Sequence, residues 1–205
     1  MRRSLAAACI TLLFATIVWA ANPSPMNSSP SPTAARPSLQ LQSVEPEAAT
    51  LQVAGPAPMF SYLAGDGRWH RSDELLQGGA VIVVFAPSDE DLVGLQRLAP
   101  AFDELGVRPV VVLNLATRGS AAQSRRLGLT ASLVSDPMCA IADLYHSIDP
   151  ATGRNAPSYF VIDSQRTLRA MYFGPLPPAE LLVATSARCL GRPLPQSVFT
   201  SSDER

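Results

Sequence analysis

The chain has 205 residues, a formal net charge of −1, and 47% hydrophobic against 16% charged residues. That length accommodates one domain plus extensions. The near-neutral balance leaves no basic block of the kind nucleic-acid binding needs, so nucleic acid is excluded as a partner.

The first residues read as an export signal. Arg2-Arg3 form a charged start, Leu5 to Val18 an apolar run, and Val18-Trp19-Ala20 a cleavage region, so residues 1–20 are assigned to a signal peptide. The same run is near the lower limit for spanning a bilayer, so an uncleaved N-terminal anchor is the alternative. In either case the domain is expected outside the cytoplasm: periplasmic, secreted or membrane-tethered. The membrane enters only through that segment. Residues 21–57 are rich in Pro, Ser and Ala and carry no helical or strand period, which predicts a disordered linker.

The pattern changes at Pro58. Met59–Leu63 and Gly67–His70, around Gly65-Asp66-Gly67, predict a small hairpin, and Ser72–Leu76 a helical turn capped by Ser72. Val81–Phe85 is an apolar, β-branched run suited to a strand buried on both faces. Asp91–Leu105 is helical by period, with Pro100 as a kink. Pro109–Leu115 is a second buried strand, Ser120–Leu127 a helix stopped by Gly128, and Leu133–Ser135 a short strand. Asp136-Pro137 opens the next helix with Asp136 as its cap. Ser158–Asp163 and Thr167–Phe173 form a strand pair, and Pro178–Leu190 the last helix. The polar tail 191–205 is expected to be flexible. Strands alternating with helices imply parallel pairing, and the closing ββα adds an antiparallel pair.

Three stretches carry a resemblance: Leu133-Val-Ser-Asp136-Pro137 followed by Ala140, Ala142 and Tyr145; Ala156-Pro157-Ser-Tyr-Phe-Val-Ile-Asp163; and Phe60, Leu63, Asp66-Gly67 and Leu75. With the element order, residues 58–190 resemble the thioredoxin-like redoxins, the alkyl hydroperoxide reductase/thiol-specific antioxidant proteins among them. The resemblance implies an α/β thioredoxin-like fold: a central mixed sheet flanked by helices, with an N-terminal β-hairpin extension. It also implies a cis bond before Pro157, which would form part of a substrate wall facing Pro87–Asp91.

The redox motif of these proteins is missing. Counted from Phe85, the dithiol pattern falls on Glu90 and Val93. Counted from Pro87, the peroxidase cysteine falls on Gly94. Neither a carboxylate nor a glycine attacks a peroxide as a thiolate does. The chain therefore reads as an exported redoxin-like binding or scaffold module, with an unidentified protein or small-molecule partner in the envelope and no cofactor. The alternative is a thiol-dependent antioxidant or oxidoreductase using Cys139.

Cys139 at the third position of a helix capped by Asp136 would feel the helix dipole, although a small buried filler uses a cysteine equally well. Cys139 and Cys189 are the two cysteines left after signal removal. The compartment permits their pairing, but a thioredoxin-like sheet puts their helices on opposite faces. Asp89, Glu90 and Asp91 are either a metal or base cluster or solvated residues at a helix start. His70 and His146 lack ligand spacing, and no metal site is assigned.

Overall fold

The computed structural model describes residues 51–64 and 68–200. The export signal, linker residues 21–50, the Gly65–Gly67 turn and residues 201–205 lie outside the described residues.

The described residues form, in chain order, β1 (Leu51–Pro56), β2 (Ser61–Leu63), β3 (Trp69–Arg71), α1 (Ser72–Leu76), β4 (Ala80–Phe85), α2 (Asp89–Arg97), α3 (Ala99–Glu104), β5 (Val107–Leu113), α4 (Thr117–Leu127), β6 (Ser132–Ser135), α5 (Ala140–Leu144), β7 (Ser158–Ile162), β8 (Thr167–Phe173), α6 (Ala179–Cys189) and α7 (Ser197–Thr200). The main sheet runs β1-β8-β7-β4-β5-β6, and β2 and β3 form a separate two-stranded hairpin. The three strands β4, β5 and β6 are parallel, whereas β7 meets β4, and β8 meets β7, in antiparallel register. This is the mixed, helix-flanked sheet that the apolar runs and the resemblance predict.

The continuous apolar runs are explained by burial on both faces. Along β4, Ile82 and Val84 join a core with Leu92 and Leu95 of α2, Phe102 of α3 and Leu182 of α6. Val81, Val83 and Phe85 of the same strand face the other way, toward the hairpin, Leu75 of α1 and Ile141 of α5. Successive side chains on a strand point to opposite faces, and here both faces are covered.

Three expectations about boundaries are corrected. Leu51–Pro56, assigned by composition to the linker, is β1, paired to β8 by backbone bonds that need no particular side chains. The helix expected over 91–105 begins at Asp89 and breaks at Leu98 into α2 and α3, with Pro100 near the start of the second piece, where a missing N–H costs nothing. The expected flexible tail includes α7, whose Val198 is buried against the core, and the Ser197 hydroxyl donates to Glu104 at 3.0 Å.

Asp163 organises the β7–β8 turn. Its carboxylate accepts from Gln165 N at 2.9 Å, Thr167 N at 2.8 Å and Arg169 Nε at 2.7 Å. Burial works against its ionisation, but these donors outweigh burial and hold its carboxyl below the usual range. A group whose folded pKa is depressed adds stability above its unfolded value, about 3.9 for Asp, and loses it as pH falls through the lower folded value. Asp163→Asn is therefore expected to lower stability at neutral pH by about 1–2 kcal/mol and to flatten the acid limb of stability against pH, read by urea melts between neutral pH and the acid range.

Candidate functional site at the carboxyl ends of the parallel strands

In an open α/β sheet, loops beyond the carboxyl ends of parallel strands are the usual place for a site. Here these loops follow Phe85, Leu113 and Ser135. The first is the β4–α2 turn. Ala86 adopts a left-handed φ of 47°, and Ser88 then caps α2. Ser88 N donates to Asp91 Oδ2 at 2.8 Å, and Asp91 N donates to Ser88 Oγ at 3.1 Å, a reciprocal cap. Asp89 accepts from Arg126 at 2.7 Å and Gln123 at 3.0 Å, and the Arg126 contact holds its carboxyl below the usual range. Two of the three acids are thus engaged in a cap and an interhelix tie, and among the described residues no group of three or more His, Cys, Asp or Glu side chains is placed to hold a metal.

The redox-motif positions all lie on α2 and bring no thiol to the turn. Glu90 and Val93 are exposed on α2. Gly94 faces α6, where a Cβ would lie 3.3 Å from Ala179 Cβ. Nearby, the Arg97 guanidinium of α2 pairs with Glu180 of α6. A side chain at 94 would therefore enter a helix–helix contact on the sheet face opposite Cys139.

Cys139 lies on the Phe85 face and is 6% exposed. It is not the third residue of its helix. Residues 136–139 form a turn, with Cys139 N donating to Asp136 O at 3.1 Å, and Cys139 is itself the N-cap residue at φ 56°. Asp136 caps across this turn. Its Oδ2 accepts from Ile141 N at 3.0 Å and Ala142 N at 2.9 Å. The reason is local: Pro137 starts a turn well, and a carboxylate five residues upstream satisfies the free N–H groups of α5 only if the chain folds back first.

The sulfur has two polar neighbours. Asn114 Nδ2 donates to Cys139 Sγ at 2.7 Å and to Asp136 O at 3.4 Å, and Cys139 Sγ lies 3.6 Å from Gly153 O. Sequence reasoning missed Asn114. Its signal was a polar residue directly after the apolar run of β5, at a strand's carboxyl end. It also missed Asn155, 7% exposed, whose side-chain nitrogen and oxygen find no hydrogen-bond partner among the described residues. Beneath lies an aromatic cluster: Tyr145 packs at 4.9 Å from Phe160 and 5.5 Å from Phe85, ring centre to ring centre. Burial pushes the Tyr145 phenol well up, and its hydroxyl donates to Pro58 O at 3.2 Å.

Pro157 lies beside the β4–α2 turn, since Phe85 pairs with Ser158. The expected cis bond is corrected, because no peptide bond among the described residues is cis. The chain enters β7 with Ala156 N bonded to Ser147 O at 2.7 Å and Pro157 O accepting from Gly174 N at 3.0 Å, and the ordinary trans form meets both contacts. Cys139 and Cys189 are both free. They pack in the two different cores, on opposite sheet faces. Burial pushes the Cys189 thiol up, with Arg188 acting the other way. The Nδ1 of His70 lies 2.7 Å from Glu74 Oε2.

Comparison with known proteins places this architecture. A peroxidoxin, BcpB, from Mycobacterium tuberculosis is 18% identical, with a TM-score of 0.57 over 76% of this chain and 99% of that one. Enterococcus faecalis AhpC is also 18% identical, with a TM-score of 0.60 over 75% of this chain and 98% of that one. The reduced 2-Cys peroxiredoxin of Plasmodium vivax is 15% identical, with a TM-score of 0.59 over 69% and 98%. No curated protein matches in sequence. At these identities the solved structures establish the fold. Residues 53–171, more than half of the chain, match the AhpC/TSA family, and the chain belongs to that family.

Proposed function

We propose that the protein is a thiol-dependent antioxidant oxidoreductase of the peroxiredoxin-like kind, with Cys139 as its thiol. The observation that carries this reading is the Asn114 amide aimed at Cys139 Sγ at 2.7 Å, beyond the carboxyl ends of β5 and β6. Family membership supports the reaction type. In that reaction the sulfur attacks the terminal oxygen of a hydroperoxide and the O–O bond breaks. The alkoxide takes the thiol's proton and leaves as an alcohol, and the sulfur is left as a sulfenic acid. One external thiol condenses with it, releasing water, and a second releases Cys139 as the thiol together with a disulfide. Asn114 fixes the sulfur, and the backbone at Gly153 must move aside to admit the peroxide.

A second reading has one observation of its own. The β4–α2 turn, where redox relatives carry a thiol, holds the Ser88–Asp91 cap instead, which favours a binding module without turnover. One experiment separates the two. Purified chain is given cumene hydroperoxide and dithiothreitol, and peroxide loss is followed. The thiol reading expects consumption that falls at least about a hundredfold in Cys139→Ser and persists in Cys189→Ser. Equal rates in the wild type and Cys139→Ser would overturn it, and rates no higher than without protein would leave the binding module.

Export from the cytoplasm is part of the same proposal. It rests on Arg2-Arg3, the run Leu5–Val18 and Ala20. N-terminal sequencing of chain recovered from the cell envelope is expected to begin at Ala21 or Asn22.

A further inference from the structure

A groove of about 280 Å³ runs along the free edge of β6, between α4 and the hairpin. That is near the lower end of small-molecule sites, which start at about 300 Å³. Its walls divide by chemistry. Leu63 and Leu133 give an apolar side; Ser120, Ser124 and Ser135 give hydroxyls, and Arg125 stands beside them. Among the described residues no carboxylate lines it. Among the described residues, none pairs with Arg125.

The hydroxyls are only partly used. Ser135 Oγ and Ser120 Oγ lie 3.0 Å apart, so one hydroxyl donates to the other and one proton of the pair has no acceptor among the described residues, in a wall where Ser120 is 3% exposed. A buried donor without an acceptor is costly, and such a group in a groove wall is satisfied by an acceptor that enters from outside. The exposed Arg125 guanidinium at the rim offers an entering oxyanion its two-pronged face.

We propose that this groove binds a small monocarboxylate with a short apolar body. The carboxylate takes the Arg125 guanidinium and the spare proton of the Ser120–Ser135 hydroxyl pair, and the apolar body lies against Leu133 and Leu63. One cation with no acid among the described lining residues balances one negative charge, which favours a carboxylate over a phosphate dianion. The proposal stands apart from the thiol reading, because none of the groove residues named here touches Cys139 in the contacts described above.

The test is an amide-shift titration of the isotopically labelled full chain with hexanoate, inorganic phosphate and hexanol as separate probes. Hexanoate is expected to give saturable shifts at Ser120, Ser124, Arg125 and Ser135, with affinity in the millimolar range. Arg125→Ala is expected to weaken hexanoate at least about tenfold, and Ser120→Ala to weaken it with Arg125 intact. Arg125 is exposed and unpaired, so its variant keeps the fold, which its unchanged distant amide shifts check. Three outcomes would overturn the proposal: no saturation by hexanoate, equal affinity in Arg125→Ala, or tighter binding of phosphate or hexanol than of hexanoate.

Discussion

Phe160→Ala is expected to lower the stability of the domain by about 3–5 kcal/mol. Phe160 sits on β7, an interior strand of the sheet, at 2% exposure. Its ring meets Phe85 at 5.7 Å, Tyr145 at 4.9 Å and Phe173 at 5.6 Å, three edge-on contacts that each add to the burial itself. Removing it opens a cavity between strands that are hydrogen-bonded on both sides and have little room to collapse. A replacement by Leu retains much of the volume and is expected to cost less than half as much. Urea unfolding with the slope held constant measures both.

Asp136→Ala is expected to cost about 3 kcal/mol and to change the chemistry of the site as well. Asp136 is 3% exposed, and its carboxylate is the acceptor for the Ile141 and Ala142 N–H groups in the first turn of α5. Alanine leaves both donors buried and unpaired. The turn that places Cys139 at its left-handed φ of 56° loses its clamp, so the sulfur should react faster with a bulky thiol reagent in the folded chain. Asp136→Asn keeps one oxygen acceptor and is expected to fall between alanine and the wild type in both measurements. If the alanine variant were as stable as the wild type, the capping role would be wrong.

Most of the sheet was legible because its strands are continuous apolar runs. Val81–Phe85 and Ser158–Ile162 have no competing reading as amphipathic helices, and Gly128 closes α4 in the left-handed conformation its position suggests. What was not legible depends on backbone pairing or on distance in sequence. β1 has the sequence Leu-Gln-Val-Ala-Gly-Pro, whose strand character comes from β8 rather than from its own residues. The site was half visible. Cys139 and Asp136 lie in one stretch, so their association was readable, but their geometry was not, since Pro137 makes either a helix start or a turn. Asn114 is 25 positions from Cys139 and is brought to it only by the parallel pairing of β5 with β6. Pro157 shows the limit of likeness as a guide, for its bond takes the ordinary form where the resemblance implied the rare one.

The pairing of β1 also bears on where the domain may be cut. Composition suggests trimming the chain at Pro58, but that removes Leu51–Pro56 and uncovers the outer row of N–H and C=O groups on β8. An unprotected strand of seven residues, with Leu168, Met171 and Phe173 in it, is a template for a second copy. The plain six-residue segment at the end of the linker thus acts as a guard against self-association, a task that depends on its backbone and leaves its sequence free to vary.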